Sequence, residues 1–163
     1  MGVSGSGKTT VGLALAKKLD WDFFDADDFH PPENIAKMAA GIPLSDSDRI
    51  PWLTALSNLL LSTLKAGRHP ALACSALKES YREQLLSGKA GIEIIYLKGS
   101  YDLLLERMSR RQGHFMKPEM LKSQFETLEE PKNALTLNVS MPLEKMLDFV
   151  LEKRFGLAGG FRD

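Results

Sequence analysis

Met1-Gly2-Val3-Ser4-Gly5-Ser6-Gly7-Lys8-Thr9-Thr10 opens the chain, and Gly2 to Thr9 fits G-x-x-x-x-G-K-[ST] at every required position. The spacing has a chemical reason. Glycines let successive backbone N–H groups turn inward as an anion nest, and a following helix adds the positive end of its dipole. A lysine here reaches the β- and γ-phosphates of a nucleoside triphosphate, and the next hydroxyl can ligand Mg2+. Directly downstream, Val11, Ala14, Leu15 and Leu19 fall at i, i+3, i+4 and i+8, one face of a helix. A flexible Gly/Ser tail does not account for a lysine and a threonine placed where an amphipathic helix begins. Gly2, Val3, Ser4, Gly5, Ser6, Gly7, Lys8, Thr9 and Thr10 are therefore the candidate nucleotide-binding residues.

Outward from this loop, short apolar runs alternate with helical patterns. Trp21–Ala26, Ala71–Cys74, Ile92–Leu97 and Leu135–Val139 have strand length. Helices are expected over Pro31–Ala40, from Asp46–Asp48 to Gly67, over Leu77–Leu86 and Tyr101–Arg111, from Pro118 to before Pro131, and along Leu143–Leu151. Such alternation implies βαβ crossovers, hence an α/β fold of three layers, α/β/α, around a parallel sheet. No linker divides the chain, so residues 1–163 are one domain, with a tail over 156–163 expected to fray. A phosphate-binding loop normally follows a buried strand, yet only Met1 precedes Gly2. The first strand is thus expected to be cut short, with further apolar residues ahead of Met1 in the native protein.

Composition bounds the function. The chain has 163 residues, 21 Lys plus Arg against 21 Asp plus Glu, 44% apolar and 26% charged residues. A zero balance disfavours a dedicated nucleic-acid binder, which needs excess cations to displace counterions. The longest apolar run, Leu56–Leu64, is broken by Ser57, Asn58, Ser62 and Thr63, so no membrane span is expected. A single cysteine, Cys74, excludes an intrachain disulfide, and the opening residues lack the charged and apolar regions of a secretory leader. These bounds imply a soluble, cytoplasmic protein.

In a parallel sheet the ligand crevice lies at the carboxyl ends of the strands, where Asp25, Asp27 and Asp28 fall. Strand alternation would put Asp25 and Asp27 on one side, one near Mg2+ and the other orienting an acceptor hydroxyl. Asp28 is better read as a helix cap. His30 either bonds substrate or pins the turn before Pro31 and Pro32. Lys78 and Arg82, four apart on the helix after the third strand, and Arg49, at the head of the long helix, are candidates for binding an anionic acceptor. His69 is placed on the surface, and Cys74 is expected to be a small buried apolar residue. Arg107, Arg110 and Arg111 precede Gly113-His114-Phe115-Met116, a basic helix end followed by glycine that suits a lid over about 107–125. Arg107 and Arg111 share a face, whereas Arg110 points elsewhere.

MGVSGSGKTT, DADDFHPPENIAKMAAGIPLSDSDRIPW, ACSALKESYRE, IYLKG and GHFMKPEMLKSQFETLEEP together resemble the thermoresistant-type gluconate kinases of the shikimate-kinase and nucleoside-monophosphate-kinase-like P-loop group. The resemblance covers about residues 1 to 140 in order. It implies P-loop kinase architecture, ATP and Mg2+, and phosphorylation of a sugar acid, D-gluconate, at its 6-hydroxyl. It further implies Thr9 and Asp25 as metal-binding residues, and Lys8, Asp27 and Arg111 as catalytic ones. Asp27, His30, Arg49, Lys78 and Arg82 would bind gluconate, and Arg107 would stack on adenine. His114 and Gln124 belong to the lid motif without an assigned role. Family members are often homodimers. A related small-metabolite kinase, such as a shikimate kinase, and an inactive nucleotide-binding regulator are the rival readings. Against the first stands Cys74-Ser75-Ala76-Leu77-Lys78, where shikimate kinases place a Gly-rich loop.

Overall fold

The computed structural model describes residues 1–110 and 118–156. Helix α1 (Lys8–Leu19) leads to strand β1 (Asp22–Asp25), a 3-10 turn (Ala26–Phe29), α2 (Pro32–Ala39) and α3 (Asp46–Lys65). Then follow β2 (Pro70–Ala73), α4 (Glu79–Leu86), β3 (Ile95–Lys98), α5 (Tyr101–Ser109), α6 (Pro118–Thr127), β4 (Leu135–Asn138) and α7 (Leu143–Phe155). Local chemistry sets these boundaries. Ser45 and Asp48 close a reciprocal capping box at the head of α3, each side chain taking the other's backbone N–H. Pro32 starts α2 where a missing N–H costs nothing.

The strands run parallel, β1 beside β2 and β3 beside β4. Helix α1 packs on β1 and β2 and touches α7, whereas α3 lies against β2 and α4, so strands are sandwiched between helical layers. One apolar core joins Val11 and Leu15 of α1 to Leu97, Leu104, Leu121, Leu137 and Leu147. A second holds Ala26, Trp52, Leu53, Leu56 and Cys74. Close approach sharpens the packing at Gly12, where a Cβ would stand 2.7 Å from the Phe23 ring.

The three-layer α/β/α expectation holds, with one qualification concerning the sheet. It is split into two parallel pairs. Between them stands Met1. Its N–H group donates to Ile95 O at 2.5 Å, its carbonyl accepts from Leu97 N–H at 2.9 Å, and Gly2 N–H reaches Ser75 O at 3.3 Å. Behind Met1 lies a cavity of about 330 Å³ lined by Val11, Leu15, Leu60, Leu72, Ile95 and Val150 among others.

Further differences concern local ends. Alternation does not govern Asp27, because the chain leaves β1 at Asp25 and turns into the 3-10 segment. Helix α4 begins at Glu79, with Lys78 as its N-cap. Lys78 and Arg82 therefore do not share a helical face. The proposed tail beyond Gly156 and the stretch 111–117 lie outside the described residues.

Candidate active site

Asp25 pairs in register with Ala73, so β1 and β2 end level and open one crevice between their following loops. The glycine-rich loop closes one wall. Gly5 and Gly7 hold φ of 78° and 90°, in the left-handed region that glycine enters without a Cβ penalty. A Cβ at Gly2 would meet Leu97 O at 2.8 Å, and one at Gly5 would meet Met108 Cγ at 3.0 Å. Gly7 caps α1 with no side-chain hydrogen bond, and no acid sits in the first turn. The helix therefore presents unneutralised N–H groups, as an anion site requires. Lys8 Nζ folds back over the loop to Val3 O at 3.2 Å.

Thr9 Oγ1 donates to Asp25 Oδ2 at 2.8 Å, and Asp25 Oδ1 accepts the Asp27 N–H at 3.2 Å. One carboxylate thus ties the start of α1 to the 3-10 turn. Both side chains are hard oxygen donors, the chemistry Mg2+ selects when it is shared with phosphates. No cluster of three or more His, Cys, Asp or Glu side chains suited to a metal occurs among the described residues. The pair therefore fits a metal held jointly with a nucleotide, and does not form an all-protein cage.

Asp27 is exposed at the beginning of the turn, and His30 follows it. The imidazole stacks on Trp52 of α3 at 4.4 Å and 11°, while Trp52 Nε1 donates to Ala26 O at 2.7 Å. Burial lowers the His30 pKa from its usual value, opposed by Asp27 and reinforced by Arg49. His30 Nδ1 is buried without a hydrogen-bond partner. Both readings of His30 survive: the ring is pinned, and one nitrogen has unused capacity.

Lys78 and Arg49 gather round a carboxylate, Asp46, that sequence reasoning passed over. Lys78 Nζ donates to Asp46 Oδ1 at 2.9 Å and Oδ2 at 2.7 Å, and the Tyr81 hydroxyl donates to Oδ1. Arg49 Nη1 lies 3.9 Å from the same carboxylate and donates to Leu44 O at 2.5 Å. The Lys78 and Tyr81 bonds hold the Asp46 carboxyl below the usual carboxylate range. Both Arg49 and Lys78 also stand 5.6 Å from the centre of the Tyr81 ring.

Arg82 is placed differently from the sequence expectation. It is buried, and Nη1 donates to Ala76 O at 2.9 Å and Leu77 O at 3.0 Å. It thus holds the loop that carries Lys78, including Ala76 at φ 43°. Replacing Arg82 with alanine leaves two carbonyls without their donor. The expected loss is on the order of 2–3 kcal/mol in urea unfolding. Unchanged stability with only a raised acceptor KM would return Arg82 to direct binding.

Gln124 gains a definite contact. Its Oε1 accepts the Ser4 N–H at 2.7 Å, so α6 touches the phosphate loop directly. The described flank of the expected lid is packed in place, since Leu121 is fully buried and Phe125 meets Tyr101 edge-on at 5.6 Å. Arg107 Nη2 donates to Val139 O at 2.7 Å, tying α5 to the end of β4. Arg110 pairs with Glu106 at 2.5 Å on the exposed face. Arg111 and His114 lie outside the described residues. Cys74 is buried, and burial pushes its thiol up to about 11, so it is no nucleophile. His69 is exposed and stacks on Trp21 at 5.4 Å.

Sequence reasoning missed Asp46 and Tyr81 and left Gln124 without a role. Each lay within a quoted motif, but nothing in spacing alone distinguishes an acid that pairs with distant cations from a helix cap.

Comparison with known proteins agrees with this geometry. The family model described as "Shikimate kinase" matches residues 4–141. The thermoresistant gluconokinase of Escherichia coli is 43% identical over 156 residues, covering 93% of this chain and 89% of that protein. A gluconokinase structure from Sinorhizobium meliloti aligns with TM-score 0.80 at 46% identity, over 90% of this chain and 84% of that one. An unliganded sugar kinase structure from Janibacter aligns with TM-score 0.86 at 43% identity, over 93% of this chain and 89% of that one. On the strength of these likenesses, which span most of its length, the chain belongs to the gluconokinase family of P-loop kinases.

Proposed function

We propose that this protein transfers the γ-phosphoryl group of ATP to the 6-hydroxyl of D-gluconate, giving 6-phospho-D-gluconate and ADP. The observation that carries the reading is the bound Asp46 carboxylate. Lys78, Tyr81 and Arg49 already hold a carboxylate, in a crevice shared with a phosphate loop. A sugar acid offers both functions such a crevice serves: a carboxylate to anchor and a distant hydroxyl to receive phosphate.

The loop from Gly2 to Thr10 cradles the ATP phosphates, and Lys8 neutralises the β- and γ-oxygens. Thr9 and Asp25 would hold Mg2+, Asp25 through water. When bound, this ion supplies charge neutralisation and alignment of the β- and γ-phosphates. Asp27 orients the 6-hydroxyl and accepts its proton as the new O–P bond forms and the bond to the ADP oxygen breaks. His30 offers a ring nitrogen to an acceptor hydroxyl, while Arg49 and Lys78 take the carboxylate. Arg82 acts on the acceptor through the loop it supports. Arg107 offers its guanidinium plane to adenine. Arg111 comes onto the transferring phosphoryl group from a lid spanning about 107–125. Closure excludes water as a competing acceptor.

Residues 1–163 act together as one kinase domain in this reading. A homodimer and a cytoplasmic location rest on family resemblance; among the described residues no helix is long and apolar enough to cross a membrane. ADP release with Mg-ATP, measured across D-gluconate, other sugar acids and shikimate, tests the acceptor. Stimulation by D-gluconate alone supports the proposal. A preference for shikimate would give the protein the other chemistry of the matched family model, and nucleotide binding without turnover would make it a regulator.

A further inference from the structure

We propose that Asp46 is the resident counter-ion of the acceptor site: its carboxylate occupies the Lys78–Tyr81–Arg49 cluster until the acceptor's carboxylate displaces it, and it thereby sets acceptor affinity. The inference rests on the acceptor reading above and adds a residue that opposes binding.

Asp46 stands in the first turn of α3 but supplies none of its capping bonds. The helix is capped by Ser45 and Asp48, whose carboxylate also pairs with Lys37 at 2.7 Å. Every bond described for the Asp46 side chain goes instead to the acceptor cluster. Lys78 meets both oxygens and Tyr81 one, an arrangement that another carboxylate can reproduce.

Mobility is distributed suitably. The Asp46 side chain is 63% exposed, whereas that of Lys78 is 30% exposed and Tyr81 is buried at 7%. The donors are the more buried partners, and the occupant is the one that can turn into water without leaving a buried charge unpaired. Exchange of one carboxylate for another also preserves the local charge. Placing a second anion beside an undisplaced Asp46 would instead add like-charge repulsion. An acceptor without a carboxylate has nothing to exchange, so the cluster stays closed to it.

The test compares wild type with Asp46→Asn, which keeps the shape and removes the charge. The KM for D-gluconate is expected to fall about 3–10-fold, the range of one or two exposed ion-pair contacts. The KM for ATP should not move. Calorimetric titration with D-gluconate in the absence of nucleotide should show the same tightening. Asp46→Ser, which preserves a good helix-start residue, should behave alike. In a Lys78→Ala background the gain should vanish, because the contested donor is gone. A KM for D-gluconate that rises or stays level in Asp46→Asn, while wild type turns the acid over, overturns the counter-ion role alone. It would make Asp46 a positioning residue or a bystander. Wild type that fails to use D-gluconate at all removes the acceptor reading first, and this proposal with it.

Discussion

Lys8→Ala is expected to lower kcat by about 10²–10³-fold while leaving the fold intact. The lysine lies where the glycine-rich loop runs into the start of α1, which has no side-chain cap bond. Backbone N–H groups there are partial charges, whereas Lys8 brings a full one to the γ-phosphoryl oxygens as they gain charge in transfer. One of its bonds runs to Val3 O at 3.2 Å, within the loop itself. ADP release under saturating Mg-ATP, beside a thermal melt, checks both halves. Turnover within about threefold of wild type would remove Lys8 from the phosphate-stabilising role.

Asp27→Asn should reduce kcat by about 10²–10⁴-fold, the usual contribution of a positioned acid or base. The substitution keeps the shape and the backbone bond from Asp27 N–H to Asp25 Oδ1, so the turn should survive. What disappears is the negative charge next to His30 and the group that receives the hydroxyl proton. The effect should fall on kcat with little change in the KM for D-gluconate, because Arg49 and Lys78 carry the carboxylate. A loss expressed mainly as a raised KM would recast Asp27 as a binding group.

The fold and half of the site were legible in sequence because both depend on local chemistry. The lysine and threonine at the loop's end define a phosphate site wherever the chain places them, since the nest is made by adjacent residues. Periodicity found α7 and its buried Met146, Leu147, Val150 and Leu151 for the same reason. Asp27 was chosen by an argument that does not apply, since the chain leaves β1 at Asp25 and the 3-10 turn cancels strand alternation. Arg82 shows the opposite failure. Its spacing from Lys78 looked like a shared face, yet helix α4 starts one residue later and turns the guanidinium back onto Ala76 and Leu77.

Taken alone, the sequence determined the α/β order of elements, the phosphate loop and the family, all properties of contiguous segments. Tertiary structure decided which distant side chains share a carboxylate, that Gln124 reaches Ser4 across 120 positions, and that Met1 stands between two separated strand pairs. The reason is physical. Helix caps, turns and nests are settled by interactions within a few residues. The partners of a charge are settled by which elements pack together, and that follows from burial summed over the whole chain.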